Sequence, residues 1–205
     1  MRRFLALLLV PLFASACGGD APSADAAEPS PPVAEAGPPA VPAGPVDSSM
    51  TPGEALRRFR EGLPEPRALS GGARSREALV RRFVEAVEAH DTAAIRSVVM
   101  SRAEFAYLYY PTSPVAKMRP DLAWFLSQQN SEKGIVRLLR RAGGTGMRYV
   151  RHACEPTPRQ EGENRVWEKC LVTFTQGADT TTIRMFGSVI ERGGAFKLVS
   201  YANDL

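Results

Sequence analysis

Histidine is nearly absent from this chain: His90 and His152 are its only two in 205 residues. With no His-Glu-x-x-His, no Gly-x-Ser-x-Gly and no glycine-rich phosphate loop, zinc-protease, serine-hydrolase and nucleotide-hydrolase chemistry have no motif to stand on, and no cofactor is implied. Cysteine is also sparse, at three residues, without a Cys-x-x-Cys pair; this excludes a cysteine-dense scaffold and a thioredoxin-type centre. No apolar run approaches the roughly 20 residues of a spanning helix, the longest being about ten. Aromatic residues are few and are not interleaved with arginine along a strand face, so the surface that reads single-stranded RNA is missing too.

Charge is present, and it is uneven. Of 26 basic and 22 acidic residues the first fifty hold two and five, which leaves 24 against 17, an excess of seven, for the rest. Such a surplus suits anionic head groups, cell-wall polymers or acidic ligands, and suits equally a solvated arginine-rich surface.

The chain opens Met1-Arg-Arg-Phe-Leu-Ala-Leu-Leu-Leu-Val-Pro-Leu-Phe-Ala-Ser-Ala-Cys17: a positive start, a short apolar run, then small residues. This is the layout of a secretory signal over 1–16. Ala14-Ser15-Ala16-Cys17 resembles the lipobox of bacterial lipoproteins, with alanine at the first box position where leucine is commoner. The resemblance implies cleavage before Cys17, acylation of that cysteine, and anchoring in membrane lipid without a spanning helix. Gly18 follows, and the absence of an aspartate there favours the outer over the inner membrane, with the folded part facing periplasm or exterior.

Residues 17–50 are a tether. Gly18 to Met50 holds eight prolines and no aromatic residue, too little apolar surface to offset the entropy of ordering it. Partly polyproline II, its 33 residues reach on the order of 100 Å when extended, at about 3 Å each.

Folded structure is expected from Thr51. Thr51-Pro52-Gly53-Glu54 is a capping box that starts a short helix to about Glu61, followed by a loop through residue 74. The helix is either packed on the domain or a basic amphipathic element for a membrane or partner. Ser75 opens a strong amphipathic helix to about His90, with Leu79, Val80, Phe83, Val84 and Val87 at helical spacing. Asp91 caps a helix through Met100, and Ser101-Arg-Ala-Glu104 caps another over Phe105 to Tyr110. After Pro111 to Pro120 helix resumes through Trp124, breaks near Asn130-Ser131, and ends at Gly143-Gly144.

The last sixty residues alternate apolar and polar between turn residues, which predicts four antiparallel strands over Met147–Glu155, Arg165–Gln176, Asp179–Arg192 and Ala195–Asn203. With one cysteine assigned to lipid, Cys154 and Cys170 are left to pair in an oxidising compartment; a metal pair with His152 or a redox couple are the rival uses. Facing the two cysteines sets Val150 opposite Phe174, His152 opposite Val172 and Glu155 opposite Lys169. Cys170, Val172, Phe174, Ile183, Met185, Val189, Phe196 and Leu198 then share one apolar face. Trp167, Phe186, Ile190, Val199 and Tyr201 fall on the reverse face, more apolar surface than a monomer leaves in water.

Val80 to Val99 resembles the opening helix pair of the NTF2-like (SnoaL-like) superfamily, and Phe196-Lys-Leu-Val-Ser-Tyr-Ala202 resembles its last strand. The resemblance implies an α+β domain over 75–205, N-terminal helices packed on a curved four-stranded antiparallel sheet. It implies a pocket between sheet and helices served by a histidine or carboxylate, for which His152 with Tyr107, Tyr109 or Tyr110 are the candidates, though a histidine bonded within the core is the plainer reading. It also implies a homodimer through the reverse face, for which the competing cover is the Pro52 to Glu61 helix folding back with Leu56 and Phe59 on the patch. The function expected is a lipid-anchored envelope binding or accessory module, acting on an unknown envelope ligand or protein; the alternative is an envelope lyase, isomerase or hydrolase working at His152. Replacing the lipidated side chain tests the anchor: Cys17→Ser is expected to leave the protein unprocessed or released from membranes on fractionation, and a variant that matures and sediments like wild type would remove the lipoprotein reading.

Overall fold

The computed structural model describes residues 50–203 and 205; the expected signal peptide, Cys17 and the tether up to residue 49 lie outside the described residues. Helix α1 (Pro52–Arg60) starts where its cap predicts, with the Thr51 hydroxyl accepting from Glu54 N and proline in the first turn. Helix α2 (Arg76–Glu88) is capped by Ser75 and buries the five residues spaced for it. Asp91 accepts from the amides of Ala93 and Ala94 and opens α3 (Thr92–Ser97). The reciprocal Ser101/Glu104 capping box forms as α4 (Arg102–Glu104). It runs into a π-helical turn, Phe105–Tyr109, and two 3-10 turns, Tyr110–Thr112 and Pro114–Lys117.

Helix α5 (Pro120–Ala142) is unbroken, contrary to the interruption expected at Asn130-Ser131. Ser131 does not cap anything: its buried hydroxyl accepts from Tyr201 N at 3.1 Å, tying the helix to the C-terminal segment. Gly134, one turn on, lets the two backbones meet, because a Cβ there would run into the Tyr201 carbonyl.

The four expected strands are seven, in two antiparallel sheets. They are β1 (Met147–Ala153), β2 (Arg159–Glu161), β3 (Asn164–Trp167), β4 (Leu171–Gln176), β5 (Asp179–Ile183), β6 (Val189–Arg192) and β7 (Ala195–Leu198), ordered β1-β4-β5 and β2-β3-β6-β7. Two of the predicted long strands each break and pass from one sheet to the other. The first break centres on Lys169, a non-glycine residue with φ of 48°, a conformation no extended strand carries through. It is pinned to the end of β1 by the Cys154–Cys170 disulfide, by Glu155 N donating to Glu168 O, and by a Lys169–Glu155 ion pair of 2.6 Å. The second lies between Ile183 and Val189. The stretch between the first two expected strands, Pro156 to Gly162, contains β2, which hairpins onto β3.

Register also differs at one point. His152 pairs with Val172 as expected, but a bulge after Tyr149 sets Tyr149, not Val150, opposite Phe174. The extra residue turns Val150 out to solvent and puts Met147, Tyr149 and His152 on the side that meets α2, as a bulge must when it inserts one residue into a period of two.

Two cores result. One gathers Leu79, Phe83 and Val87 of α2 with Val172, Phe174, Met185, Val189 and Leu198, the apolar face read from alternation. The second sets Phe59, Phe105, Tyr109 and Tyr110 with Val166 and Ile190. The five reverse-face residues therefore do not form an open patch for a second copy. Phe186 sits edge-on to Phe83, and Tyr201 stacks on the same ring, in the α2 core. Trp167 joins that core, while Ile190, with Val199 against it, lies under the helical segment in the second. The irregular stretch 184–188 is the physical cause, since it resets the alternation on which the shared face depended.

One ion pair holds the second core together. Lys197, on β7, is 3% exposed and Glu104 is 1% exposed, and the ammonium donates to both carboxylate oxygens at 3.1 and 2.8 Å. Ser70 N and Ser101 N, each at 2.7 Å, saturate the carboxylate. Burial alone would raise the Glu104 carboxyl; the Lys197, Ser101 and Ser70 hydrogen bonds outweigh it and hold the group below its ordinary 4.5. Removing one partner, Glu104→Gln or Lys197→Met, is expected to cost about 3–5 kcal/mol, whereas Glu104→Leu with Lys197→Met recovers most of it. A carboxyl whose folded value is depressed stabilises above its unfolded value and loses that contribution as pH falls through the folded one. The gap between wild type and Glu104→Gln in urea titrations should thus narrow below pH 4.5, and a gap that does not change with pH would assign the loss to packing instead.

Candidate functional site

His152 is carried inward by the β1 bulge and is half-buried. Its Nδ1 lies 2.9 Å from the Tyr149 hydroxyl, and the Arg81 guanidinium sits 4.8 Å from the Tyr149 ring centroid. Burial, and then the positive charge of Arg76, lower the imidazole from its ordinary 6.5. A neutral imidazole bonded to a phenol is a satisfied pair, and no carboxylate hydrogen-bonds to this ring among the described residues.

The tyrosines proposed to share a pocket with His152 are not brought to it. Tyr109 and Tyr110 are buried in the second core, and Tyr107 lies under Arg60, whose guanidinium is 4.4 Å from the ring centroid. Tyr110 donates to the Met118 carbonyl at 2.6 Å. Burial, and after it the charge of Glu161, push the Tyr109 phenol up to about 12, so it stays protonated and cannot act as a base near neutral pH. Among the described residues no three His, Cys, Asp or Glu side chains converge as a metal site, and no helix is long and apolar enough to cross a membrane.

A groove of about 430 Å³ lies elsewhere, between α3 and α5. Ile95, Val99, Ile135 and Leu139 give it an apolar lining, Tyr201 closes one side, and Arg96, Gln128 and Glu132 add polar groups. Its geometry comes from the C-terminal segment. The Tyr201 hydroxyl donates to the Ile95 carbonyl at 2.5 Å and its amide bonds to Ser131, so the ring spans the two helices. Asn203 Nδ2 donates to the Gly134 carbonyl at 2.9 Å and fixes the segment along α5. Burial raises the Tyr201 phenol, which keeps this donor intact. Sequence reasoning placed Tyr201 on a dimer face and passed over Gly134; a glycine in mid-helix was the one local sign that another backbone comes close there.

The volume falls within the ~300–1,000 Å³ of small-molecule sites, and an apolar lining with a few polar groups is their usual chemistry. What the groove lacks, among the described residues, is a nucleophile within hydrogen-bond reach of a base. No family model matches the chain, and no curated protein or solved structure matches it. The His152 environment can be checked by ring-proton NMR: His152 is expected to titrate below 6.5, and Arg76→Ala to move it upward. Since a lowered histidine is stabilising only while neutral, its contribution is lost as pH falls through the folded value. A His152 that titrates above 6.5 would contradict the burial that gives the shift.

Proposed function

We propose that this chain is a lipid-anchored binding or accessory module of the bacterial cell envelope, and that the α3–α5 groove holds its ligand. The groove is the observation that carries the reading: an apolar cleft of about 430 Å³ with Arg96 and Glu132 at its border and, among the described residues, no catalytic pair beside it. The ligand class that fits is a small amphipathic molecule, its apolar part against Ile95, Val99 and Ile135 and a polar group toward Arg96 or Gln128. Anchoring rests on Ala14-Ser15-Ala16-Cys17. What supports a module over an enzyme built on His152 is that this histidine is bonded to Tyr149 and stands apart from the three tyrosines that were to complete its pocket.

The NTF2-like assignment belongs to the same proposal. It is supported by helices α2 and α3 preceding a sheet system that bends twice, at Lys169 and between Ile183 and Val189, while its inner residues pack on α2. The split into two sheets and the helical segment over the second are this chain's departures from a single curved sheet.

Fluorescence of anilinonaphthalene sulfonate, an anionic apolar probe, tests the groove. Binding is expected in wild type, with Ile135→Trp, which fills the groove, weakening it by about tenfold, equivalent to about 1.4 kcal/mol. A wild type that gives no signal, or an Ile135→Trp variant that binds equally well, would argue that the groove is not a ligand site.

A further inference from the structure

Helix α5 has two apolar sides. Ala123, Leu138 and Ala142 are buried beneath it, yet Leu122, Phe125 and Leu126 are 46, 54 and 39% exposed, and Met118 just before the helix is 37% exposed. Positions 122, 125 and 126 follow the i, i+3, i+4 spacing of one helical face. Around the start of this helix the charge is basic. Lys117 and Arg119 precede it, and Arg58 and Arg102 join Arg119 in lining a cleft of about 260 Å³. Arg58 and Arg119 are ion-paired to Glu54 and Asp121, whereas Lys117 and Arg102 make no ion pair among the described residues. Met50, where the segment from Cys17 reaches the described residues, lines this cleft and also the neighbouring one of about 120 Å³ that includes Lys117 and Met118.

We infer that this face, Met118, Leu122, Phe125 and Leu126 with Lys117, Arg119 and Arg102, lies against an anionic bilayer surface. The inference deepens the proposed anchoring and rests on it for the membrane's presence. Three features select lipid as the occupant. Apolar side chains bordered by lysine and arginine match an interface where acyl chains begin and head groups are anionic. The described residues begin at Met50, which lines the clefts beside the face, so the segment that would carry the lipid joins the domain next to it. A tether of some 33 residues keeps the domain at high effective concentration near the surface, and a weak patch then suffices to orient it. Docked in this way, the domain does not roam the full reach of its tether.

The test uses the full-length processed protein on vesicles of phosphatidylcholine with or without phosphatidylglycerol, each containing nitroxide-labelled lipid. A bimane fluorophore is placed at Gln129→Cys, exposed and one turn beyond Phe125, or at Thr180→Cys on β5 as a control. Quenching at 129 is expected to exceed that at 180 severalfold in phosphatidylglycerol vesicles and to fall in high salt. Lys117→Glu with Arg119→Glu is expected to reduce docking by tenfold or more, as each basic residue at an anionic surface contributes about fivefold. Phe125→Ser should weaken it with only a small drop in melting temperature, since about half of that side chain is already in water. Equal quenching at 129 and 180, or quenching at 129 that ignores the charge reversal, would overturn the inference. So would protection of residues 117–126 by an envelope protein without lipid quenching. Flotation with phosphatidylcholine vesicles alone reads the anchor separately: a protein that fails to float there lacks the lipid, and quenching in phosphatidylglycerol vesicles still decides the face.

Discussion

The contact between Glu104 and Lys197 decides how the second half of this structure is assembled. Moving a carboxylate and an ammonium out of water costs several kcal/mol each, and mutual attraction offsets this only when the remaining hydrogen-bond capacity is filled. Here it is filled. Glu104 accepts from Lys197, Ser101 and Ser70, drawing together β7, the capping box of α4 and the loop that follows α1. An apolar residue in place of Lys197 would pack on many neighbours with little preference; a buried ammonium accepts only a geometry that presents a carboxylate. The ion pair thereby selects which segment covers the reverse face of the β2-β3-β6-β7 sheet. It is not the main source of stability, which lies in the apolar burial around it, and Phe59, Phe105 and Tyr109 supply much of that burial in the second core.

The first core depends on a different constraint, the break at Lys169. A single extended strand from Asn164 to Gln176 would keep one sheet and one plane. A residue at φ 48° redirects the chain instead, and the disulfide fixes the end of β1 to that corner. Closing a loop of about this length contributes roughly 3 kcal/mol in the chain-entropy account, so the corner is held by covalent linkage as well as by packing. Because the two sheets meet at this corner, α2 touches residues from both, and Phe83 receives Phe186 from the irregular stretch and Tyr201 from the C-terminal segment.

Much of this could be read from the residues, and the limits of the reading have physical causes. Caps are local: Thr51, Ser75, Asp91 and Ser101 each declare a helix start through one side chain and one or two amides, and each does so here. Alternation is local too, and the apolar face from Cys170 to Leu198 emerged from it with only the cysteine pairing added. Breaks in strands are not local. Nothing in Glu168-Lys169-Cys170 or Arg184 to Ser188 is a glycine–proline turn signal, apart from Gly187, and their conformation is imposed by what they join. An unforeseen break suspends the alternation locally: Phe186 falls within one and enters the core beside its neighbour Met185, and the bulge after Tyr149 turns Val150 out. Of the candidate site, the partner of His152 was missed because it lies three residues away on its own strand, and the α3–α5 groove because its two walls come from separate helices and it is closed by Tyr201 from the far end of the chain.

Helix α5 is where these constraints meet. Its buried side holds Leu138 in the first core and Ala123 in the second, its Gly134 and Ser131 receive the C-terminal segment, and its C-terminal half forms one wall of the groove. A helix fixed at so many points cannot shift to bury Leu122, Phe125 and Leu126 without breaking contacts that both cores need. About half of the surface of these three side chains is in water and contributes nothing to folding. Their burial is therefore available to an encounter outside the domain, and at about 25 cal/mol per Å² of apolar surface covered it adds to the attraction between the basic residues at the start of the helix and an acidic surface. Groove and exposed face then lie on one rigid element, so whatever orients α5 also orients the opening of the groove.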